Sequence, residues 1–560
     1  MKKGKKIFGI LMFSIYFLIC IQQIEVATAN FLPMPFSVPK PAFIIQSDGN
    51  VSSTDNVTVP ITKNGHVYSL TDDIVGHTIV VDCDDVTVDG AGYVIQGNGN
   101  STGVFIKNRN GITVQNMQIS NFYYGIQLLS DPTFRISGNH TLLGNNLTNN
   151  HYGIEIVSST GNTLRHNQMN SNNYGFKVTY SAHDAYVSTA SPRIFYHDID
   201  DSNTINGAPI YYWVNQENRS VPSDAACIGL VNCVNISVQH CSLSQNGKGI
   251  ILVSTKNSTI TNNEITKNNG EGIYLLESTN NYISENVITK NNGYELYLCK
   301  SSNNNSICNN TITGTEDNYG IKIHSSSHNI FSGNTLTENK LGAYVLSSAG
   351  VNFIDNNIKR NTVGIYIDQF NSGHNIIGNT IEENTGYGIK LVHTSGNSIV
   401  ENIFYKNANG IYCTASPNNK IVGNNFTENV GWAIEFEGGL AGGGANNSVY
   451  HNYFIDNNKE VGFQVSMLGI WDGQDKLPQP CIWDDGEKGN YWSGYTLRYP
   501  NATEINGTGI GDTPFYINPN NIDHHPIMKL ETIPEFPSWT ILPIIFVIVF
   551  SSIIGKKVKI

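Results

Sequence analysis

Asparagine recurs in this chain at a nearly constant interval, and that interval constrains the fold more than any other feature. Between Asn263 and Asn424 the spacing is always 22 to 24 residues, and an apolar side chain follows each asparagine two positions later. A second column lies five residues further on and is broken once, at Thr315. The first column comprises Asn145, Asn167, Asn263, Asn286, Asn310, Asn334, Asn356, Asn379, Asn402, Asn424 and Asn452, and the second comprises Asn150, Asn172, Asn268, Asn291, Asn339, Asn361, Asn384, Asn407, Asn429 and Asn457.

A fixed period of this length predicts a stacked solenoid, because one such unit cannot bury its apolar face alone. Short runs of alternating apolar and polar residues, separated by Asn, Gly and Ser turns, indicate strands rather than helices. Parallel strands of successive coils lie about 4.8 Å apart, so each asparagine would lie over its counterpart and bond to it. The sequence therefore predicts an all-β chain that folds as a single-stranded parallel β-helix.

Two apolar columns predict the core of this solenoid. One runs from Ile250 to Ile434 and the other from Leu252 to Phe436, at alternate positions of the same strands. The residue between them is expected to point outward. That outward column contains five tyrosines, which we predict as carbohydrate-binding because exposed, stacked aromatic rings bind sugars. They are Tyr274, Tyr297, Tyr344, Tyr366 and Tyr412. The alternative is that tyrosine simply suits the exposed face of a strand.

The two ends of the chain indicate export. Residues 1–29 combine early lysines, an apolar run and Ala27-Thr28-Ala29, which is typical of a secretory signal peptide. Near the other end, residues 533–560 hold a second apolar run followed by lysines, which predicts a C-terminal membrane anchor or a processed sorting tail. We therefore expect a single C-terminal anchor and a location at the extracellular face of the cell membrane.

Composition divides the remainder into three parts. We predict an N-terminal cap over 30–75, the parallel β-helix over 76–466 with an insertion at about 177–227, and a Trp/Gly-rich C-terminal cap over 467–532. The formal charge of −12 argues against a nucleic-acid partner, which would require a basic surface. Asn-x-Ser/Thr triplets suit a glycosylated exterior.

Eight cysteines lie outside the signal peptide. Cys241 and Cys413 occupy repeat positions, which favours packing roles for both. Two further pairs, Cys227 with Cys233 and Cys299 with Cys308, are left open as disulfides, since strands between the partners can hold them apart.

The segment in which the repeat is lost is the best place to look for chemistry, because loops that leave a solenoid commonly carry its binding face. It contains a histidine and four aspartates that are candidates for acid–base catalysis, without a division of roles among them. These candidates are Asp184, His197, Asp198, Asp200 and Asp201. The alternative is that they are solvated turn residues.

Two sequence blocks are more specific than the repeat. One runs from Asp201 to Trp213, and the other from Trp483 to Trp492 with a continuation at Gly509–Pro514. With the repeat, they resemble the secreted right-handed parallel β-helix proteins called NosD-like, in particular archaeal surface members. The resemblance implies a right-handed β-helix built from the repeat module of carbohydrate-binding proteins and sugar hydrolases. The family name implies a copper accessory role, but fold kinship alone does not transfer function.

Three functions follow from these observations. Copper handling would need gathered His, Cys or Met ligands, and the local concentrations are His183 with His197 and Asp523-His524-His525. A polysaccharide lyase, hydrolase or epimerase would need clustered acids, but the Asp-Pro-His-Asp motif of related alginate epimerases is absent. We favour a noncatalytic surface protein for adhesion, scaffolding or glycan binding, with no cofactor and no metal site.

Overall fold

The computed structural model describes residues 39–131, 137–180, 191–369, 371–438, 446–465 and 480–529. They form a right-handed parallel β-solenoid of about 16 turns with about 23 residues per turn, which confirms the predicted fold class. The asparagines stack as predicted. Asn286 Nδ2 donates to Asn310 Oδ1 at 2.9 Å, and Asn310 Nδ2 donates to Asn334 Oδ1 at 3.0 Å.

A glycine before the inward apolar residue lets successive coils approach each other. At Gly388 an added Cβ would lie 2.7 Å from the carbonyl oxygen of Gly410 in the next coil. Real Cβ atoms do not tolerate such a distance from a backbone atom, so the recurring Gly-Ile pair is a packing requirement.

The coils form two stacks, which we call the N-terminal stack (42–205) and the C-terminal stack (208–492). The first sheet of the N-terminal stack contains Ala42–Ile45, Val51–Ser53, Thr78–Val81, Thr102–Lys107, Tyr124–Leu129, Tyr152–Val157 and Tyr174–Thr179. The second contains Ile61–Asn64, Val67–Leu70, Thr87–Asp89, Thr113–Gln115, Thr141–Leu143, Thr163–Arg165 and Asp198–Ile199. The third contains Ile74–Val75, Val94–Gln96, Gln118–Ser120, Asn146–Thr148, Gln168–Asn170 and Thr204–Ile205.

The C-terminal stack also has three sheets. The long-strand sheet contains Ala208–Val214, Cys227–Val231, Ile250–Val253, Ile273–Leu276, Leu296–Cys299, Tyr319–His324, Leu341–Leu346, Val363–Asp368, Tyr387–Val392, Asn409–Thr414, Trp432–Gly438 and Lys459–Val465. The second contains Glu217–Val221, Val234–Gln239, Thr259–Thr261, Tyr282–Ser284, Ser306–Cys308, Ile330–Ser332, Asn352–Ile354, Asn375–Ile377, Ser398–Val400, Lys420–Val422 and Ser448–Tyr450. The third contains Ser242–Ser244, Glu264–Thr266, Val287–Thr289, Thr311–Thr313, Thr335–Thr337, Asn357–Lys359, Thr380–Glu382, Ile403–Tyr405, Asn425–Thr427, Tyr453–Ile455 and Tyr491–Trp492.

Ala208–Val214, which we call the crossover strand, joins the stacks. It pairs antiparallel with the last two short strands of the N-terminal stack and parallel with Cys227–Val231. Its side chains alternate between two cores. Ile210 and Tyr212 pack in the core of the N-terminal stack, whereas Tyr211 and Trp213 pack against the core of the C-terminal stack. The sheet face that lies inside one stack is therefore outside the other, and the two stacks are offset sideways.

Part of the predicted insertion belongs to the solenoid. Asn203 continues the first asparagine column, because Asn167 Nδ2 donates to its Oδ1 at 2.8 Å. A 3₁₀ helix at Pro192–Phe195 precedes this last coil of the N-terminal stack. Residues 181–190, which include His183 and the candidate Asp184, lie outside the described residues.

The far end of the C-terminal stack is closed by stacked aromatic rings. The Trp492 ring lies 4.4 Å from the Phe454 ring and 4.3 Å from the Phe515 ring. Asp523 is the last rung of the ladder and accepts from Asn490 N at 2.8 Å. This end also contains a short helix, Tyr495–Arg498, and a hairpin of Phe515–Asn518 and Asn521–Asp523.

All eight cysteines of the described residues are free thiols, so the two disulfide pairs left open by the sequence do not form. Cys241 stands in the ladder, where its N–H donates to Asn263 Oδ1 at 3.0 Å, and Cys413 is fully buried. Among the described residues no helix is long and apolar enough to cross a membrane. The predicted signal peptide and C-terminal tail lie outside that part of the chain.

Candidate functional site

The outward tyrosine column passes through two environments. Tyr274 and Tyr297 are only 1% and 8% exposed, because they pack in the core of the N-terminal stack. The Phe195 ring lies 6.1 Å from the Tyr274 ring. The expectation that these two tyrosines are exposed is therefore wrong, and neither is available to stack on a sugar. The cause is the offset, which sets the end of one stack against the side of the other.

Farther along the sheet the outward column reaches the surface. Tyr344, Tyr366, Lys390 and Tyr412 are aligned in successive strands, and each is partly exposed. A second aromatic column runs beside them and was missed from the sequence. We call the combined surface the tyrosine face, and it comprises Tyr294, Tyr319, Lys322, Tyr344, Tyr366, Tyr387, Lys390, Tyr412, Trp432 and Lys459.

A sequence signal for the second column does exist. Tyrosine precedes the recurring glycine of the repeat in Tyr319-Gly320-Ile321 and in Tyr387-Gly388-Ile389. The same Tyr-Gly pair recurs in the N-terminal stack at Tyr124, Tyr152 and Tyr174. A search for the residue before each such glycine would have found Tyr319 and Tyr387, but not Tyr294 or Trp432, which precede Glu295 and Ala433.

The rings of the tyrosine face contact each other from coil to coil. Tyr344 and Tyr366 stack with centroids 5.0 Å apart, and Tyr294 and Tyr319 stack at 5.6 Å. Tyr319 meets Tyr344 edge to face at 5.8 Å. Tyr387 and Tyr412 form a second group at 4.9 Å, and Lys390 lies between the two groups, over Tyr366 on one side and over Tyr387 and Tyr412 on the other.

Lysines lie over these rings. Lys390 Nζ is 5.1 Å, 5.7 Å and 5.6 Å from the ring centroids of Tyr366, Tyr387 and Tyr412. Lys322 Nζ is 4.6 Å from the Tyr294 centroid and donates to the Tyr294 hydroxyl at 2.9 Å. Neither lysine forms an ion pair with a carboxylate of the described residues, so their positive charge faces outward.

Carboxylates also border the tyrosine face, and each accepts a hydrogen bond. Asp368 Oδ2 accepts from the Tyr366 hydroxyl at 3.0 Å, and Glu437 accepts from the Tyr412 hydroxyl. Glu435 is buried beneath Gln464, which donates to it, and burial raises the pKa of Glu435. Burial likewise raises the pKa of Tyr366. Its hydroxyl is therefore protonated at neutral pH and acts as a donor.

A second concavity, the junction cleft, lies beside the crossover strand and has a volume of about 440 Å³. Its lining includes the predicted candidates Asp198, Asp200 and Asp201 together with Tyr211, Trp213 and Arg219. Asp198 Oδ2 lies 2.5 Å from Arg165 Nη2, and Asp200 Oδ2 lies 3.0 Å from Arg165 Nε. A single guanidinium thus holds two of the three candidate carboxylates, while Asp201 is exposed.

His197, the fourth described candidate, also lines this cleft. Its imidazole is 4% exposed, and its Nδ1 accepts from the backbone N–H of Asn162 at 3.3 Å. Burial lowers its pKa to about 4, so the ring is neutral at pH 7. His140, Asn162 and His197 form a buried column in which each side chain accepts from a backbone N–H of the preceding coil, and this accounts for Nδ1 of His197. Its Nε2 is buried and has no hydrogen-bond partner among the described residues.

The two histidines near the C-terminal end differ: the His525 ring contacts an aspartate, whereas His524 is exposed and bonds to the same aspartate through its backbone N–H. His525 Nδ1 lies 3.1 Å from Asp484 Oδ1, and the His524 N–H donates to Asp484 Oδ2 at 3.0 Å. In the described ranges there is no group of three or more His, Cys, Asp or Glu residues that could hold a metal ion.

Comparison with protein families agrees with this architecture. A profile described as "Periplasmic copper-binding protein (NosD)" matches residues 194–358 and 315–497, which together span more than half of the chain. The chain belongs to the NosD family. A second profile, "Right handed beta helix region", matches residues 77–191. The predicted resemblance to the NosD-like right-handed β-helix family is thus confirmed, and the two profiles meet close to the offset between the stacks.

A search of the curated proteins finds no match to this NosD family member. Among solved structures, the A-module of mannuronan C-5 epimerase AlgE4 of Azotobacter vinelandii is similar, with 13% identity over 70% of this chain and 90% of that chain and a TM-score of 0.27. The periplasmic alginate epimerase AlgG has 12% identity over 73% and 80%, with a TM-score of 0.25. A PL6 alginate lyase has 8% identity over 66% and 86%, also with a TM-score of 0.25. Scores this low carry no information about the chemistry of this chain.

Proposed function

We propose that this NosD family member binds an acidic polysaccharide along the tyrosine face without altering it chemically. The observation that carries the proposal is the arrangement around Lys390, whose ammonium lies over three partly exposed tyrosine rings and faces no described carboxylate. A site of this kind offers apolar ring faces, hydroxyl donors and a positive charge within one small area. It is repeated in simpler form at Lys322 and Lys459.

The tyrosines support a sugar ligand. Partly exposed aromatic rings provide apolar area for the C–H face of a sugar ring, and their hydroxyls provide hydrogen bonds at the rim. Because the coils are about 4.8 Å apart, ring after ring is presented along one line. An elongated ligand with a regular repeat fits such a surface better than a compact one.

The lysines support an acidic ligand. The protein has a formal charge of −12, so outward lysines without carboxylate partners are a local exception. Asp368 and Glu437 also lie at the tyrosine face and accept from tyrosine hydroxyls, which are neutral and do not cancel a carboxylate charge, so the attraction for an anion is confined to the lysines. A polyanion would therefore gain attraction at Lys322 and Lys390, whereas the rest of the surface repels it.

The site supports binding rather than catalysis. Asp368, Glu435 and Glu437 border the tyrosine face, and a neighbouring side chain donates a hydrogen bond to each of them. These hydrogen bonds tie the carboxylates to neighbouring protein side chains, and binding through ring stacking and lysine charge requires no general base. The same proposal includes a location outside the cytoplasm, with a role in adhesion or in the envelope and with residues 533–560 as the tether. The description of the NosD family as periplasmic and the predicted signal peptide support this location.

Affinity electrophoresis of the purified protein in gels that contain polygalacturonate or a neutral β-glucan tests the proposal. We expect polygalacturonate to retard the protein, and we expect Tyr366→Ala and Tyr387→Ala each to weaken retardation at least about tenfold, since stacking is worth about 1.4 kcal/mol or more. Lys390→Met should weaken binding to the acidic polymer and leave binding to the neutral one unchanged. Tyr282→Ala is the control, because Tyr282 is 44% exposed on a different sheet.

Circular dichroism should show that every variant retains the β-solenoid. Retardation that is equal for the parent and the Tyr366→Ala variant would overturn the proposal, as would an absence of retardation by any acidic polymer. Release of shorter products from the polymer by the parent protein would overturn its noncatalytic part. If that release were lost in an Asp198→Asn variant, the activity would belong to the junction cleft.

A further inference from the structure

We infer that the polysaccharide site continues past the junction onto the N-terminal stack, so that its ligand is a linear chain long enough to contact both stacks. This inference rests on the proposed function and extends it. The evidence is a second aromatic row, its alignment with the tyrosine face, and the side chains that connect the two.

The N-terminal stack carries its own row of stacked tyrosines. Tyr124, Tyr152 and Tyr174 are register partners in successive strands. Tyr124 and Tyr174 are partly exposed and can meet a ligand, whereas Tyr152 is 4% exposed and packs between them. The Tyr124 and Tyr152 rings stack at 5.3 Å with an interplanar angle of 14°, and the Tyr152 and Tyr174 rings stack at 5.3 Å and 29°. Tyr123 lies beside this row, is 38% exposed, and stacks on His151 at 4.4 Å.

The backbone connects this row to the tyrosine face without a gap. Gly247 N–H donates to the Phe176 carbonyl oxygen at 2.9 Å, next to Tyr174. Gly270 N–H donates in turn to Gly247 O, and Gly293 N–H donates to Gly270 O at 2.9 Å. Gly293 directly precedes Tyr294, the first ring of the tyrosine face. Successive hydrogen-bonded segments therefore lead from one aromatic row to the other.

Two asparagines occupy the surface between the rows. The Tyr152 hydroxyl donates to Asn269 Oδ1 at 2.6 Å, and Asn292 Nδ2 donates to the Tyr174 hydroxyl at 3.1 Å. Asn292 is exposed. Its amide can exchange the tyrosine hydroxyl for a sugar hydroxyl at little cost, since both partners are polar and at the surface. The junction thus offers hydrogen bonds where the rings are interrupted.

Charge distinguishes the two rows. Lys177 Nζ lies 4.7 Å from the Tyr152 ring centroid, but it also forms an ion pair with Glu155 at 2.9 Å. The N-terminal row therefore contributes ring contacts through Tyr123, Tyr124 and Tyr174, and its lysine is paired with a carboxylate, whereas the lysines of the tyrosine face have no such partner among the described residues. Added salt should weaken binding at the tyrosine face more than binding at the N-terminal row.

The combined track from Tyr124 to Trp432 has a length on the order of 50 Å at the usual spacing of parallel strands. A mono- or disaccharide would fill only a small part of it. The ligand that uses the whole track is an extended acidic polysaccharide lying parallel to the solenoid axis.

A series of oligogalacturonates of increasing length, together with the polymer, tests the inference by calorimetry on the full chain. We expect affinity to rise with length beyond the oligomer that covers the tyrosine face alone. The double variant Tyr123→Ala, Tyr174→Ala should bind the polymer at least about fivefold more weakly, about 1 kcal/mol, and should bind the short oligomers as the parent does. Tyr366→Ala should weaken both, and Tyr282→Ala neither.

If the double variant binds the polymer as the parent does while Tyr366→Ala does not, the extension is wrong and the proposed function stands. If neither variant loses affinity, both are wrong. Asn292→Ala provides an independent check, since Asn292 is exposed and its loss leaves the core intact. A smaller but length-dependent loss supports the continuous track, and an unchanged length series for this variant and the double variant overturns it.

Discussion

Tyr274 and Tyr366 occupy the same position of the repeat, yet one is in a core and the other is at the surface. Strand pairing carries the column from Tyr274 through Tyr297, Lys322 and Tyr344 to Tyr366 without a change of register. Tyr274 is 1% exposed because the end of the N-terminal stack lies over it, and that cover ends before Lys322. Register therefore determines on which side of its own coil a residue lies, and the offset determines whether that side meets water.

The largest effect should come from truncating the covered member of the pair. Tyr274→Ala should lower the free energy of unfolding by about 3–5 kcal/mol, because it leaves a cavity between the two stacks. Tyr366→Ala should lower it by about 1 kcal/mol or less, since part of that ring is already in water. Urea denaturation of both variants measures the difference. Tyr274→Phe is the control that keeps the ring, and equal losses for the two alanine variants would contradict the offset.

The next effect concerns the interruption of the second asparagine column at Thr315. Glu295 fills the gap left by Thr315 in the second asparagine column, accepting from Asn291 N at 3.1 Å and from Asn291 Nδ2 at 2.5 Å. It is fully buried, and burial raises its pKa to about 8 from an ordinary value of 4.5. Among the described residues, Asn339 Oδ1 on the other side of the gap has no hydrogen-bond partner.

A raised pKa in the folded state means that stability is complete below about pH 4.5 and is lost as pH rises through 8. Glu295→Gln removes this titration, keeps one oxygen to accept from Asn291 and loses the other of the two hydrogen bonds. We expect the difference in unfolding free energy between variant and parent to move in favour of the variant by about 3 kcal/mol between pH 4.5 and pH 8. Denaturation at several pH values measures it. Glu285→Gln, at an exposed site, should show no such gain, and a pH-independent difference would refute this account.

The smallest effect concerns His197, in the last coil of the N-terminal stack, which packs over Tyr274. His197 lies in the coil whose Phe195 packs near Tyr274, and its pKa is lowered to about 4 from 6.5. A lowered pKa for a histidine means that stability is present above pH 6.5 and is lost as pH falls through 4. His197→Asn should keep the ladder bond from Asn162 and recover about 2 kcal/mol of the stability that the parent loses at pH 4.

Thermal unfolding of parent and variant between pH 4 and 7 provides the measurement. The exposed His328→Asn substitution is the matched control and should leave the acid loss unchanged. A parent protein with no acid loss attributable to His197 would indicate that the ring is not a buried rung.

The solenoid could be predicted from the sequence because each rung repeats the same chemistry. Asn310 and Asn334 each form side-chain hydrogen bonds with the asparagines of the coils before and after them, and the apolar residue two positions later is buried in the core. Because both conditions hold in every coil, both residue types recur in the sequence at the same period. Asn203 was missed because 36 residues separate it from Asn167, which hides the period. His197 was missed as a rung because its column alternates between histidine and asparagine.

The candidate site was only partly predictable, for a related reason. Tyr344, Tyr366 and Tyr412 were found from their alternation with core residues, and the structure leaves them partly exposed. The burial of Tyr274 depends on the crossover strand, whose reversal is a single local event with no repeat to reveal it. The Asn206-Gly207 pair before this strand is a typical hairpin signal, but a hairpin alone does not indicate which face of the next sheet becomes covered.

The two faces of the crossover strand pack in different cores, and this affects how the length of such a protein can change. The end of the N-terminal stack packs against the side of the C-terminal stack. The contact between the stacks therefore does not depend on how many coils follow at either far end. Tandem duplication of a coil at either far end would lengthen the molecule and leave the joint untouched. Chains of this architecture should therefore vary in length by whole turns while the crossover strand keeps a constant length.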